Sequence, residues 1–475
     1  MTMHTLTQAT PTRRTMLVGA ASLAGAAALA ACSQSGGSPS PSGTGSGTST
    51  GATPAAVTIS VSGMPDKQTF PEANAQFLED VAAFEELYPH ITVDPRATGW
   101  QPDTFPARLA GGQLETVFQV PVTEAPTLIR HGQVVPITDF LADLEGSDLL
   151  NERVLEPVSV DGELYGIPVR SHSLGLIYNR SLFEAAGLDP DAPPTTWDEV
   201  REAARAITAL GDGVAGFAVG TKNGTEGGGM YAAINASFGD DTFVVEEDGS
   251  TTITFDSEAG RRAMSFLHDV RWQDDAWPGQ TILGIDDVKQ LIATERLGLW
   301  VHAPDQVRSL TLKFGVDPST IGLAAMPQAG GDATQLGGSM ALFNPAASPE
   351  QLTAASQWIW FEYLRKYLDP EVAAAEAEAL RGDPANLVGI PELPIFTGDL
   401  YERYNEAIAP FVNAPLENYA DYIERIDELR LVPEPNAQIK SVLNRMVQQA
   451  VTEQDVDVEA MLADGAGEAE QAASR

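Results

Sequence analysis

The chain has a single cysteine, Cys32, among its 475 residues. No intrachain disulfide can form, and any zinc or iron–sulfur site built on several thiolates is excluded. Basic residues are scarce: 28 Lys and Arg stand against 66 Asp and Glu, a formal net charge of -38. Such a chain repels phosphate backbones, which argues against a nucleic-acid partner. It is also repelled by anionic lipid, so attachment to a membrane needs a device other than charge. Histidine is sparse too, at six residues. None pairs with another His or with Cys32 at metal-ligand spacing, so neither metal nor cofactor is expected. Enzyme motifs are missing: there is no GxSxG elbow between a strand and a helix, no HExxH and no GxxxxGK loop. Gly211–Gly216 spells GxGxxG, yet it follows a helical pattern and leads into a strand, the reverse of the order that puts pyrophosphate on a helix N-terminus. A pair of carboxylates for glycoside hydrolysis leaves no local motif, since any two of the 66 acids could meet in the fold.

What is present begins with an address. Arg13 and Arg14 precede an uncharged Ala/Leu/Gly stretch from Leu17 to Ala31. The stretch is shorter than the about 20 residues of a membrane span. A basic start followed by a short apolar segment reads as an export signal over residues 1–31. The paired arginines resemble a twin-arginine signal. Leu29-Ala30-Ala31-Cys32 resembles a lipobox, which implies cleavage before Cys32 and a lipid on its sulfur. Residues 32–56 then carry that cysteine and an uncharged Ser/Gly/Thr/Pro run. As a flexible coil it spans roughly 25–30 Å, a tether that holds a folded body near the outer face of the cell membrane.

From residue 57 onward strand and helix patterns alternate. Val57–Val61 alternates apolar and polar residues, and Phe77, Val81, Phe84 and Tyr88 recur at helical spacing up to Pro89. Ile91–Val93 and Val117–Val120 are further strands, with a short helix over Thr123–Arg130. A second series starts at Leu174–Tyr178. Thr196 and Glu199 form a capping box ahead of a face made by Trp197, Val200, Ala204 and Ile207. Strands follow at Gly216–Val219 and Leu297–Val301, a long helix at Gln351–Leu368, and a helical acidic tail at Tyr401–Leu462. Strands alternating with helices predict an α/β fold with mostly parallel sheets.

Several runs carry a family resemblance. They are Phe84–Val93; Leu128–Ile137; Asp161-Gly162-Glu163-Leu164-Tyr165-Gly166-Ile167-Pro168; Leu176–Phe183 with Ala186–Leu188 and Pro194–Glu199; and Gly337-Gly338-Ser339. Together they resemble the extracellular solute-binding proteins of ATP-driven importers, in the group that includes maltose-binding protein, over residues 57–465. Two departures stand out: Leu114-Glu115-Thr116-Val117 lacks the aspartate usual before the third strand, and Leu297–Gln306 lacks the usual tryptophan offset. The resemblance implies a two-lobed periplasmic-binding-protein fold, each lobe a mostly parallel sheet flanked by helices, joined by three crossovers. Lobe one would be 57–168 and 337–390, lobe two 172–332 and 395–465, with 466–475 a disordered tail. It further implies a monomeric, lipid-anchored binder that delivers a sugar or oligosaccharide to ABC-type permease subunits. A sensory protein of the same fold, a polyol or polyamine binder, and a lipid-anchored glycoside hydrolase are the alternatives. The shortage of cations disfavours phosphate-bearing ligands.

Ligand in such a clamp meets the C-terminal ends of strands from both lobes. Sugars call for aromatic faces and planar polar side chains. The candidates are therefore Met64 and Asp66 after the first strand, Gln119 in the third, Arg170 and His172 at the first crossover, His302 and Asp305 after the Trp300 strand, and Gly337 and Gly338 at the second crossover. Trp272 and Trp277 lie in a turn-rich polar segment and are candidate stacking platforms. Trp197 and Trp300 read as core, and Trp100 reads equally as cleft aromatic or surface.

Overall fold

The computed structural model describes residues 55–473 apart from 102–103, 223, 247–249 and 384. The expected signal, Cys32 and nearly all of the tether lie outside the described residues. Ten strands build the two main sheets: β1 Val57–Val61, β2 Ile91–Pro95, β3 Val117–Pro121, β4 Gly166–Ser173, β5 Gly175–Asn179, β6 Ala215–Ala218, β7 Leu297–His302, β8 Ile321–Ala325, β9 Ala333–Phe343 and β10 Arg430–Val432.

In lobe one β1 lies between β2 and β3, parallel to both, starting from Val57 opposite Ile91. Ile59 and Val61 point into the core while Thr58 and Ser60 do not, which is the period-two burial the sequence predicts. The helix Pro71–Leu87 starts on a proline and buries Phe77, Val81 and Phe84. Phe77 and Phe84 meet the Trp358 ring edge-on at 5.6 and 5.3 Å. In lobe two the order is β8-β5-β7-β6. The helix Trp197–Thr208 covers that sheet and has the predicted capping box, with Glu199 N–H donating to Thr196 Oγ1 and Thr196 N–H to Glu199. The Trp197 ring stands 4.7 Å from Phe266, which stands 5.3 Å from Phe217.

The two sheets meet through the crossover strands. β4 leaves lobe one as β9 enters it, and the two pair antiparallel from Leu336 opposite Ser173 to Leu342 opposite Gly166. β9 also pairs antiparallel with β3. In lobe two, β5 follows the crossing directly and runs antiparallel to β7 and β8. A strand arriving from the other lobe starts at the cleft edge and so runs against the sheet it joins. By contrast, β1, β2 and β3 run one way in lobe one, as do β6, β7 and β8 in lobe two. The register shifts between Ser339 and Met340, which face Arg170 and Pro168 and leave Val169 of β4 as the extra residue of a bulge. The third crossing lies alongside: Ser171 Oγ donates to the Leu393 carbonyl at 2.7 Å, and Leu393 N–H donates back to Ser171.

Three expectations need correction. The resemblance puts residues 395–408 in lobe two, but Ile395, Phe396 and Leu400 are buried in the core that holds Phe84 and Trp358, because these side chains fill the space beside Trp360 and Tyr367. The tail is not uniformly helical: Arg430–Val432 forms β10 along the start of β9. Residues 466–473 are not a loose end either, since the helix Val458–Ala473 packs on Ala437–Thr452 and buries Ala469.

Candidate functional site

Two adjoining cavities lie where the crossover strands run between the lobes. The first, of about 330 Å³, is lined by Ser62, Gly63, Trp100, Gln119, Arg170, His172 and Gly338 among others. The second, of about 320 Å³, shares Gln119, Arg170 and His172 with it and adds Asp305, Arg308, Tyr363, Lys366 and Glu392. Ser62 and Gly63 follow the end of β1, Gln119 and Pro121 close β3, and Asp305 follows β7 and opens the helix Asp305–Phe314. This is the placement expected of an α/β ligand crevice, outside the carboxyl ends of strands.

Backbone geometry brings the crossovers close. Gly338 has φ +132°, and a Cβ there would stand 2.1 Å from the Arg170 carbonyl oxygen. A Cβ on Gly337 would stand 2.3 Å from His172 Nε2, so the imidazole lies directly over that glycine. His172 Nδ1 is buried and unpartnered among the described groups. Burial holds this histidine below its ordinary pKa, with Asp305 opposing and Arg170 reinforcing the shift. The ring is therefore neutral at pH 7, with one nitrogen free to bond a ligand hydroxyl. Gln119 Nε2 donates to Tyr363 Oη at 2.6 Å. Tyr363 sits in the π-helical turn Trp360–Leu364, whose wider winding interrupts the helix that the sequence predicts as continuous.

Of the eleven predicted ligand residues, the structure brings Gln119, Arg170, His172, Asp305 and Gly338 to these cavities, and Gly337 beneath His172. The other five do not line them. Asp66 takes N–H bonds from Gln68 and Thr69 and the Thr69 hydroxyl, which hold its carboxyl below the usual range and make it a turn cap. Met64 packs against the lobe-one core. His302 accepts from Ala303 N–H through Nδ1 at 2.8 Å and packs on Trp300, with burial pushing its pKa down to about 4. The two tryptophans lie away from these cavities, each indole N–H donating to a carbonyl inside lobe two. Trp272 donates to Ala450 at 2.9 Å, and Trp277, 3% exposed, donates to Thr281 at 3.1 Å. Trp300 is buried in the core as its mid-strand position predicts, and Trp100 lines the first cavity.

Sequence reasoning missed Tyr363, Lys366, Arg308 and Glu392, which come from helices and from the third crossing rather than from strand ends. Outside the lining of both cavities, Glu226 opens the helix Glu226–Phe238 beyond the C-terminal end of β6. Its Oε1 is buried without a partner among the described groups, and burial pushes its pKa up to about 7.

A model of the bacterial extracellular solute-binding protein family matches residues 67–369. A putative binding protein of Brucella abortus is 27% identical over 249 residues, half of this chain; the match spans 58% of that relative's length. Among solved structures, the sugar-binding protein MalE of Xanthomonas citri aligns with TM-score 0.66 and 18% identity over 88% of this chain and 98% of its own. A solute-binding protein of Thermotoga lettingae, bound with α-D-tagatose, aligns with TM-score 0.64 and 22% identity over 88% of this chain and all of its own. At these identities the likeness establishes the fold, a two-lobed α/β clamp.

Proposed function

The chain belongs to the bacterial extracellular solute-binding protein family, and from that premise we propose that it captures a saccharide between its lobes and delivers it to an ABC-type membrane permease without turning it over. The observation that carries this reading is the make-up of the cleft wall. Trp100 offers an aromatic face, and Gln119, His172, Asp305 and Glu392 offer planar hydrogen-bonding groups from both lobes and from the first and third crossings. A sugar ring needs that combination, one flat apolar face and an edge of hydroxyls. One similar structure named a sugar-binding protein and another solved with α-D-tagatose bound support the class of ligand. Export through residues 1–31 and a lipid on Cys32 complete the reading, placing a monomeric body on the outer face of the membrane.

The test is a thermal-shift screen of residues 57–475 against sugars, polyols, polyamines and amino acids. A ligand at about 1,000 times its Kd stabilises the fold by about 4 kcal/mol. A shift confined to one saccharide class, with the saccharide recovered unchanged by NMR, is the expected result. A shift with polyamines alone would overturn the saccharide reading, and hydrolysis of the sugar would overturn the absence of turnover. For the anchor, the full chain with Cys32→Ala should leave the membrane fraction; retention there would refute lipid attachment.

A further inference from the structure

The second cavity carries charge of the sign that the chain as a whole lacks. Acids outnumber Lys and Arg by 66 to 28. Cations elsewhere commonly hold one of those acids, as Arg108 holds Glu115 at 2.7 Å and Arg365 holds Asp80 at 2.9 Å. Arg170, Arg308 and Lys366 all line this cavity, and none of them is ion-paired among the described residues. Arg308 comes from the lobe-two helix Asp305–Phe314, Lys366 from the lobe-one helix Arg365–Leu368, and Arg170 from β4 between the lobes. Arg308 Nε is buried without a partner among the described groups, while its Nη2 donates to the Leu387 carbonyl at 3.2 Å. Lys366 Nζ lies 5.1 Å from the centre of the Tyr367 ring, and Glu376, whose carboxyl its charge influences, is not in the wall of this cavity. A buried guanidinium nitrogen with nothing to donate to is costly, and an anion is the partner that best offsets the cost.

Resting on the saccharide reading above, we propose that the ligand is an acidic sugar, a saccharide whose single carboxylate lies in the second cavity among Arg170, Arg308 and Lys366. The charge balance selects the class. Three cations stand against Asp305 and Glu392, with His172 neutral, which leaves one positive charge for the ligand to match. A carboxylate brings one negative charge. A phosphate monoester brings about 1.5 to 2 at neutral pH and would leave an excess beside two carboxylates. Arg308 presents a planar fork that fits a carboxylate and Lys366 a point charge, while Asp305 and Glu392 accept from ring hydroxyls. The field of the whole chain does not draw such a ligand in, since a net charge of -38 repels an anion; the capture rests on these three side chains. The same arrangement ties the ligand to closure. Arg308 and Lys366 belong to different lobes and face one cavity, so they repel each other when the lobes close on nothing, and a carboxylate between them replaces repulsion by attraction. Differential contact of that kind shifts an open–closed balance.

The test is calorimetric titration of the full chain with matched pairs: glucose against glucuronate, galactose against galacturonate, and the corresponding neutral and acidic disaccharides, with glucose 6-phosphate alongside. One acid should bind about tenfold tighter than its neutral partner, the worth of one charge-assisted hydrogen bond, and its affinity should fall as salt is raised. Arg308→Gln and Lys366→Gln should each shrink that preference. Equal affinity for acid and neutral partner, or a preference for the neutral one, would overturn the inference while leaving the saccharide reading intact. Tighter binding of the phosphate than of every uronate would overturn the assignment of a carboxylate. A variant that weakens acid and neutral sugar alike would remove that cation from the site and leave it a structural role. If a variant fails to fold, the matched pairs on the wild type still decide. If no sugar binds in either form, the saccharide reading falls and the acidic sugar with it.

Discussion

At the scale of single residues, two kinds of buried titratable group pull stability in opposite directions with pH. His302 titrates near 4 when folded against 6.5 when free, with burial the leading cause. The unfolded chain therefore binds more protons between those values, and stability falls as pH drops from about 6.5 towards 4. Glu362, in the π-helical turn, is pushed up to about 8 by burial first and by Asp80 second, and one of its oxygens has no partner among the described groups. Here the folded chain holds a proton the unfolded one has lost, so stability falls as pH rises from the ordinary carboxyl range through 8. Glu362→Gln keeps the neutral form at every pH. Its stability relative to the wild type should therefore be greater at pH 9 than at pH 5, read from urea unfolding at both. A difference that does not change with pH would mean that Glu362 is ionised throughout. None of this was legible in the sequence. Any of 66 acids is a candidate for burial, and only the docking of the helix Pro349–Ile359 and its continuation, whose Arg365 pairs with Asp80, singles this one out.

At the scale of elements, legibility follows period. Strands such as Val57–Val61 and the capped helix Trp197–Thr208 were readable because alternation and a capping box are local signals. Strand ends were readable for the same reason and pointed to Gln119 and Asp305, while Arg170 and His172 came from the crossover motif; all four line the cavities described above. β10 was not legible, since its three residues are held by β9 and carry no period of their own. Trp272 and Trp277 misled because a polar, turn-rich setting looks exposed until Ala450 and Thr281 supply carbonyls to the indoles. The pairing of β4 with β9 offers a matched test. Gly239 has φ +131° with nothing within 4 Å of the place a Cβ would take, and Gly338 has φ +132° with the Arg170 carbonyl in the way. Gly239→Ala should cost only the backbone strain of that region, of order 1–3 kcal/mol. Gly338→Ala should cost more and should also weaken ligand binding, because Arg170 and His172 move with the strand. Equal losses in urea denaturation would show that the crossover gives way without resisting.

At the scale of the whole molecule, the net charge of -38 sets the sign of a salt effect. The compact chain repels itself. Raising salt from 0.01 M to 0.15 M shortens the Debye length from about 30 Å to about 8 Å. The ion pairs present, such as Arg201 with Asp274 at 2.7 Å, lose part of their attraction under the same change. The partly buried pairs are screened less than the exposed acids, so the repulsive sum should fall faster than the attractive one, and the thermal midpoint of the free protein should rise with salt. Closure around a ligand would compact a chain of net charge -38 further, and screening eases that approach. A neutral oligosaccharide should accordingly bind as tightly or more tightly at 0.15 M than at 0.01 M. A polyamine, whose attraction to the cleft is itself coulombic, should bind more weakly. The slope of affinity against salt thus reports the charge class of the ligand independently of the screen that identifies it. A steep fall in saccharide affinity with salt would place charged contacts, rather than the Trp100 face, at the centre of recognition.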